Sequence, residues 1–177
     1  MGYTSMRKIL LISDTHGHLD KALTKHIQEA DEVWHAGDIG SSTLCDEIEK
    51  LKPLRAVIGN IDDLELQNRW PEDLVFFCEQ LKVLITHIGG YPGKYPARIK
   101  NLLLKHKPGL FICGHSHILK VIYDKENALL HINPGACGVH GFHHIKTAVR
   151  FEIRDTQIKN LAVVELGKRN ALNRDSV

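Results

Sequence analysis

Five times in the first 114 residues, a short apolar run stops abruptly at a polar one. "KILLIS" (8–13) runs into Asp14, "EVWHAG" (32–37) into Asp38 and "LRAVIG" (54–59) into Asn60. "LKVLIT" (81–86) meets His87, and "GLFICG" (109–114) meets His115. Each run has the length and enrichment of a buried strand. Between them, apolar residues recur at three- and four-residue steps, which predicts helices over 19–30, 42–51 and 95–106. Strand and helix alternating at this spacing argues for βαβ units and a largely parallel sheet. After residue 118 the pattern changes. "LKVIYD", "ALLHINPG", "KTAVRFEIRD" and "QIKNLAVVEL" read as consecutive strands joined by turns such as "KEN" and "DTQ", which predicts antiparallel pairing. Residues 1–6 read as an N-terminal extension and the polar 167–177 as a flexible tail. The chain shows no repeat and no linker, so residues 1–177 are expected to form one α/β domain.

Composition narrows the class. With 177 residues, 43% hydrophobic and 25% charged, the chain can build an ordinary core. No apolar run approaches membrane-spanning length, because "ILLIS" ends at once in Asp14 and His16. No small-residue cleavage site follows it, so a cytoplasmic protein is expected. The four cysteines (Cys45, Cys78, Cys113, Cys137) are widely spaced without a CxxC pair, which suits small buried hydrophobes better than disulfides or zinc ligands. A formal charge of +2 without a basic run argues against nucleic acid as a partner. Histidine is the unusual component, with twelve residues.

Where those histidines fall changes the picture. Ligands of open α/β sheets bind beyond the carboxyl ends of the strands. The five strand ends here carry "DTH", "GD", "GN", "TH" and "GHSH", which would bring Asp14, His16, Asp38, Asn60, His87, His115 and His117 to one rim. Seven oxygen and nitrogen donors, without sulfur or lysine, look like two metal sites rather than polar loops. Such a set suits Mn²⁺, Fe, Zn²⁺ or Ni²⁺. Its histidines argue against Mg²⁺ or Ca²⁺ as the sole metals, since those prefer all-oxygen shells. The glycines before Asp38, Asn60 and His115 would permit the backbone angles that aim each donor at the rim.

The series D-x-H, GD, GN, TH, GHxH resembles that of the calcineurin-like metallophosphoesterases. The segments "SDTHG", "HAGD" and "NPG" resemble the small YfcE-type prokaryotic phosphodiesterases in particular. The match runs from about residue 7 to residue 166, and the resemblance implies a four-layer αββα sandwich of two mixed sheets. It further implies that Asp14, His16 and His117 hold one metal and Asn60, His87 and His115 a second, with Asp38 bridging and Mn²⁺ the leading metal. His115 and His117 would each face a different metal, with Ser116 turned away. The expected activity is hydrolysis of a small-molecule phosphodiester by in-line attack of a metal-bridging hydroxide, with Asn60 and His115 beside the developing charge. Larger family members read GNH[DE] where this chain reads "GNIDD"; Ile61 replaces the proposed proton donor while Asp62 is retained. That departure favours substrates with good leaving groups. The retromer scaffold subunit also looks like this fold, but there the metal site is degraded; here no ligand is missing, which favours an enzyme. Among enzymes the alternatives are a phosphomonoesterase, with Lys94 or Arg98 as candidate cations for a terminal phosphate, and a nuclease, which would want a basic track that the sequence does not show. Formation of a homo-oligomer stays open.

Outside the seven, His35 in "WHAGD" reads as a packing or supporting residue rather than a ligand. His18 either contacts substrate or merely precedes the next helix, and His26 is expected on the surface. "GVHGFHH" (138–144), with His140, His143 and His144, reads as a loop near the rim rather than a third metal site, and "NPGACG" (133–138) as a turn. "HIGGYPGKYP" (87–96) reads as a wall or lid of the substrate pocket, with Tyr91, Lys94 or Tyr95 near the substituent.

Overall fold

The computed structural model describes residues 6–169. In chain order the elements are β1 (Arg7–Ile12), α1 (Leu23–Glu29), β2 (Glu32–His35), α2 (Ser42–Glu49), β3 (Leu54–Ala56), α3 (Leu64–Arg69), β4 (Asp73–Cys78), β5 (Leu81–Thr86), α4 (Ala97–His106), β6 (Leu110–Ile112), β7 (Lys120–Asp124), β8 (Leu129–Asn133), β9 (Ile145–Arg154) and β10 (Gln157–Lys168). The strands form two five-stranded sheets, ordered β10-β9-β1-β2-β3 and β4-β5-β6-β8-β7.

The apolar runs are continuous because both faces of the central strands are covered. On β1, Ile9 and Leu11 face the second sheet, where they pack with Val83, Ile85, Leu110 and Ile112, joined by Phe151 of the neighbouring β9. Leu10 and Ile12 point the other way, against Leu23 and Ile27 of α1, Leu44 and Ile48 of α2 and Leu66 of α3. The outer face of the second sheet places Leu84 and Phe111 against Ile99 and Leu103 of α4. The layers are therefore helix, sheet, sheet, helix, as the resemblance implies.

The division into a parallel first half and an antiparallel second half is corrected by the pairing. Each sheet has a parallel set of three strands, β1-β2-β3 reaching one edge of the first and β5-β6-β8 at the centre of the second. Antiparallel strands add to one side of the first set, as β9 and β10, and to both sides of the second, as β4 and β7. The sequence neighbours β8 and β9 thus belong to different sheets. The crossing lies at Pro134–Gly135, fixed by Thr147, whose hydroxyl donates to the Pro134 carbonyl at 2.7 Å.

Helix α1 starts later than expected, because the Asp20 side chain accepts from the Ala22 amide (2.9 Å) and makes a turn there. The expected strands and helices omit α3 and β4. Helix α3 buries only Leu66, its other leucine, Leu64, being exposed, and its start is marked by Asp63, which accepts from the Leu66 amide at 3.0 Å. The C-terminal boundary also shifts. Gly167 and Lys168 belong to β10, and the Arg169 amide donates to the His144 carbonyl at 2.9 Å, so the tail does not begin at 167. The remainder of that tail, and residues 1–5 of the extension, lie outside the described residues.

Candidate metal centre

The loops after β1, β2, β3, β5 and β6 meet on one rim of the sandwich. Five of the seven expected donors have left-handed backbones: Asp14 (φ 55°), His16 (φ 50°), Asp38 (φ 53°), His115 (φ 66°) and His117 (φ 57°). Such conformations cost on the order of 1–3 kcal/mol each and persist only where surroundings enforce them. The enforcement is visible: the amides of Asp14 and His16 donate to the carbonyls of Gly37 and Asp38, both at 3.0 Å. The Gly138 amide in turn donates to the Asp14 carbonyl at 3.1 Å.

The side chains gather into two groups, Asp14–His16–His117 and Asp38–His87–His115, whose ligand atoms lie within 4.8 Å of one another in each group. His117 Nε2 is 3.1 Å from Asp14 Oδ1, and His87 Nε2 is 3.2 Å from Asp38 Oδ1. Neighbouring ligands on one ion, with bonds of about 2.0–2.2 Å, stand roughly that far apart. Asp38 lies between the groups, since its Oδ2 is 3.8 Å from His16 Nε2 while its Oδ1 faces His87. The two groups also approach directly, with His87 Nε2 4.0 Å from Asp14 Oδ1.

Three atoms here, Asp14 Oδ1, His16 Nε2 and His87 Nε2, are buried without a hydrogen-bond partner. A buried polar atom left unpaired costs on the order of 1–3 kcal/mol. Carboxylate oxygens and imidazole nitrogens aimed at common points satisfy that need when they share cations, so these donors fit divalent metal ions.

A polar layer underneath sets which atom each donor presents. His87 Nδ1 lies 2.8 Å from the Ala36 carbonyl, which holds the proton there and turns a bare Nε2 to the rim. Asp14 Oδ2 accepts from the Ser13 hydroxyl (2.6 Å) and the His115 amide (3.2 Å), leaving Oδ1 outward. Asp62 receives the Gly40 and Gly59 amides, both at 2.7 Å, and ties the Asn60 loop to the Asp38 loop. His35 is supporting in the same sense. Its Nδ1 accepts from the Gly37 amide (3.1 Å), so Nε2 donates to Thr15 Oγ1 (2.8 Å), which donates to the Ile39 carbonyl (2.9 Å).

Burial pushes His35 down to about 3, so it is neutral. Burial also lowers His16, although Asp38 and Asp14 pull it upward. For His87 burial acts downward too, but Asp38 and Asp14 outweigh it and the ring sits above its ordinary value. Burial would lift the Asp38 carboxyl, yet His87 and the Ile61 amide hold it below the usual range.

Asn60 is exposed and borders a cavity of about 200 Å³ that it shares with His87. Ile61 contributes its backbone, donating to Asp38 Oδ1 at 3.1 Å. The reading of the glycines needs correction. Of the three, only Gly37 has positive φ (94°), and the unusual angles otherwise belong to Asp38 and His115 themselves. Gly59 and Gly114 serve close approach: a Cβ would fall 2.1 Å from Asp38 Oδ1 at the first and 2.1 Å from Ser13 Oγ at the second.

Several residues sit elsewhere than expected. Tyr95 is a core residue, its hydroxyl 3.3 Å from His131 Nδ1, so it cannot reach a substrate. Arg98 is committed to Asp73 (2.6 Å) and Glu72 (2.8 Å), which removes it as a free phosphate cation. Tyr91 and Lys94 are exposed, and Lys120 Nζ lies 4.6 Å over the Tyr91 ring. His18 is exposed and His26 half-buried rather than fully on the surface. The 138–144 loop does border the rim, with the His140 ring 5.6 Å from His16 and the His143 ring 5.2 Å from His117. All four cysteines are free and buried. In the sequence Asn133 reads only as part of a turn. Its Nδ2 donates to the Gly114 carbonyl (2.8 Å) and to Ser116 Oγ (3.1 Å), fastening the loop that carries His115 and His117. A polar residue at the end of a buried strand was the available signal.

Residues 7–156 match the model of the calcineurin-like phosphoesterase superfamily domain. A "probable metallophosphoesterase" of Methanothermobacter thermautotrophicus is 29% identical over 131 residues, which cover 71% of this chain and 74% of that protein. An archaeal phosphodiesterase of known structure superposes with a TM-score of 0.67 at 23% identity, over 89% of this chain and 99% of that one. Vps29 from Entamoeba histolytica, solved in complex with Zn²⁺, superposes with a TM-score of 0.67 at 16% identity, over 90% of this chain and 99% of that one. At these identities the two structures speak for the fold alone.

Proposed function

The chain belongs to the calcineurin-like phosphoesterase superfamily, and on that premise we propose that it is a dinuclear metal-dependent phosphodiesterase acting on a small-molecule phosphodiester. The observation that carries this reading is the convergence of Asp14 Oδ1, His16 Nε2 and His87 Nε2, buried without a hydrogen bond yet 3.1, 3.8 and 3.2 Å from a neighbouring donor atom, within two groups that Asp38 joins. Asp14, His16 and His117 hold one divalent ion, and Asn60, His87 and His115 the other, with Asp38 shared. Mn²⁺ leads, with Zn²⁺, Ni²⁺ and Fe compatible with the same donors. Two such ions, when bound, lower the pKa of water to about 7 and clamp the oxygens of an in-line displacement.

The chain's own residues do the rest. Ala36 and Ser13 keep His87 Nε2 and Asp14 Oδ1 turned to the rim. The exposed His115 and Asn60 stand at the solvent side, where they stabilise charge developing on the phosphoryl oxygens. In the net reaction a water oxygen bonds to phosphorus, the ester P–O bond breaks, and the water's protons pass to the departing oxygen and to solvent. Ile61 has no transferable proton, so a leaving group stable as an anion departs best.

The test is hydrolysis by metal-reconstituted protein. Bis(4-nitrophenyl) phosphate should turn over with Mn²⁺, faster than 4-nitrophenyl phosphate. Aryl diesters should exceed alkyl diesters by roughly the 10²–10⁴ that general acid help contributes; equal rates would refute the missing-donor argument. Four free buried cysteines suit a reducing compartment, and among the described residues no helix is long and apolar enough to cross a membrane; the proposed location is the cytoplasm. A second reading, a binding module of this fold, draws on β7, where Val121, Ile122 and Tyr123 are all exposed and a homo-oligomer or partner could pair. Absence of turnover with Mn²⁺, Zn²⁺ and Ni²⁺ would favour it.

A further inference from the structure

Beside the donors of the second group lies the cavity of about 200 Å³, whose lining includes Ile58, Asn60, Glu72, His87, Ile88 and Arg98. It opens on two proposed ligands, and it is smaller than the roughly 300–1,000 Å³ of sites that enclose whole drug-sized ligands. A space this size adjoining a reacting centre holds part of a molecule. Its walls divide chemically. Ile58 and Ile88 give it an apolar side, and Ile88 remains 48% exposed although it directly follows a buried ligand. Arg98 and Glu72 form the polar side. Arg98 contacts Glu72 of the lining and also Asp73, which lies outside it, through Nη2, so its single charge is shared between two carboxylates.

Resting on the phosphodiesterase reading, we propose that this cavity is the subsite for one ester substituent, and that it selects an uncharged group of about one aromatic ring. The apolar side contributes by removing the ring's surface from water, at about 25 cal/mol per Å². The excess carboxylate repels an anionic substituent, weakly at this exposure but in a consistent direction. A phosphodiester carries two substituents where a monoester carries one, and a substituent pocket beside the ligands is what the diester needs. Ile88 and the Glu72–Arg98 pair are therefore specificity-determining residues.

Zinc-loaded protein with ¹³C-labelled isoleucine methyls, titrated with phenylphosphonate and methylphosphonate, tests this by binding alone. The phenyl compound should bind about tenfold tighter and shift the Ile58 and Ile88 methyls, which methylphosphonate should leave in place. Ile88→Asp, at a position exposed enough to tolerate it, should abolish the preference while inorganic phosphate still binds. 4-Carboxyphenylphosphonate should bind several-fold more weakly than phenylphosphonate, and Glu72→Gln should narrow that gap. Equal affinities for the phenyl and methyl compounds, or an unchanged preference in Ile88→Asp, would overturn the subsite even in a protein that hydrolyses diesters. Absence of hydrolysis with any of the three metals would instead overturn the reading on which it rests.

Discussion

His35 and His87 are both buried within the same polar rim, yet their nitrogens end differently. Both His35 nitrogens are engaged, one by the Gly37 amide and one by Thr15. His87 has Nδ1 on the Ala36 carbonyl and Nε2 on no hydrogen-bond partner. Burial makes an unsatisfied nitrogen costly, so the difference separates a histidine that supports loops from one whose Nε2 is left open to a ligand. The same contrast divides the whole region. Asp14, His16 and His87 each turn one unpaired atom outward, while Thr15, His35, Asp62 and Asn133 spend polar atoms on backbone or on each other and Ser13 holds the inner oxygen of Asp14.

The widest separation should come from the residue shared by both groups. Asp38→Ala should lower kcat/KM by more than the roughly 10–100-fold that follows loss of a ligand's supporting partner, and should reduce bound metal when measured by elemental analysis. A smaller effect is expected one layer down. His35→Ala should weaken metal affinity or activity by about 10–100-fold without abolishing metal binding. If the His35 variant were as inert and metal-free as the Asp38 variant, the division between donors and supports would fail.

The smallest effect belongs to a histidine away from the rim. His131 is fully buried between Tyr95 and Cys113, and burial pushes it from 6.5 down to about 4. Its folded value lies below the unfolded one, so its share of stability is complete above pH 6.5 and is lost as pH falls toward 4. The full loss is on the order of 3 kcal/mol. Urea unfolding of metal-free protein should show a decline across that window, reduced in His131→Gln, whose effect on kcat should be negligible. A pH profile identical in wild type and variant would remove His131 as the cause.

Much of this organisation is legible in the chain because burial and position act together. The five apolar runs are recognisable because both faces of each central strand are covered, and their ends hold the polar donors. Which sheet a strand joins is less visible. β8 and β9 have the same apolar character, and only Pro134–Gly135 and its contact with Thr147 carry the chain from one sheet to the other. Helix α3 hides for a related reason, since a helix that buries only Leu66 has almost no periodicity. In the site, residue types announce the donors, but not the left-handed backbones of Asp14, His16, Asp38, His115 and His117, which depend on bonds between distant loops. Arg98 and Tyr95 misled because their partners, Asp73 and His131, come close only on folding.

Metal stoichiometry tests the central claim most directly. Metal-free protein titrated with Mn²⁺ and followed by calorimetry and electron paramagnetic resonance should take up two ions per chain, with a spectrum showing that the two interact. Uptake of one ion or none, or two ions without magnetic interaction, would contradict a shared centre built on Asp38.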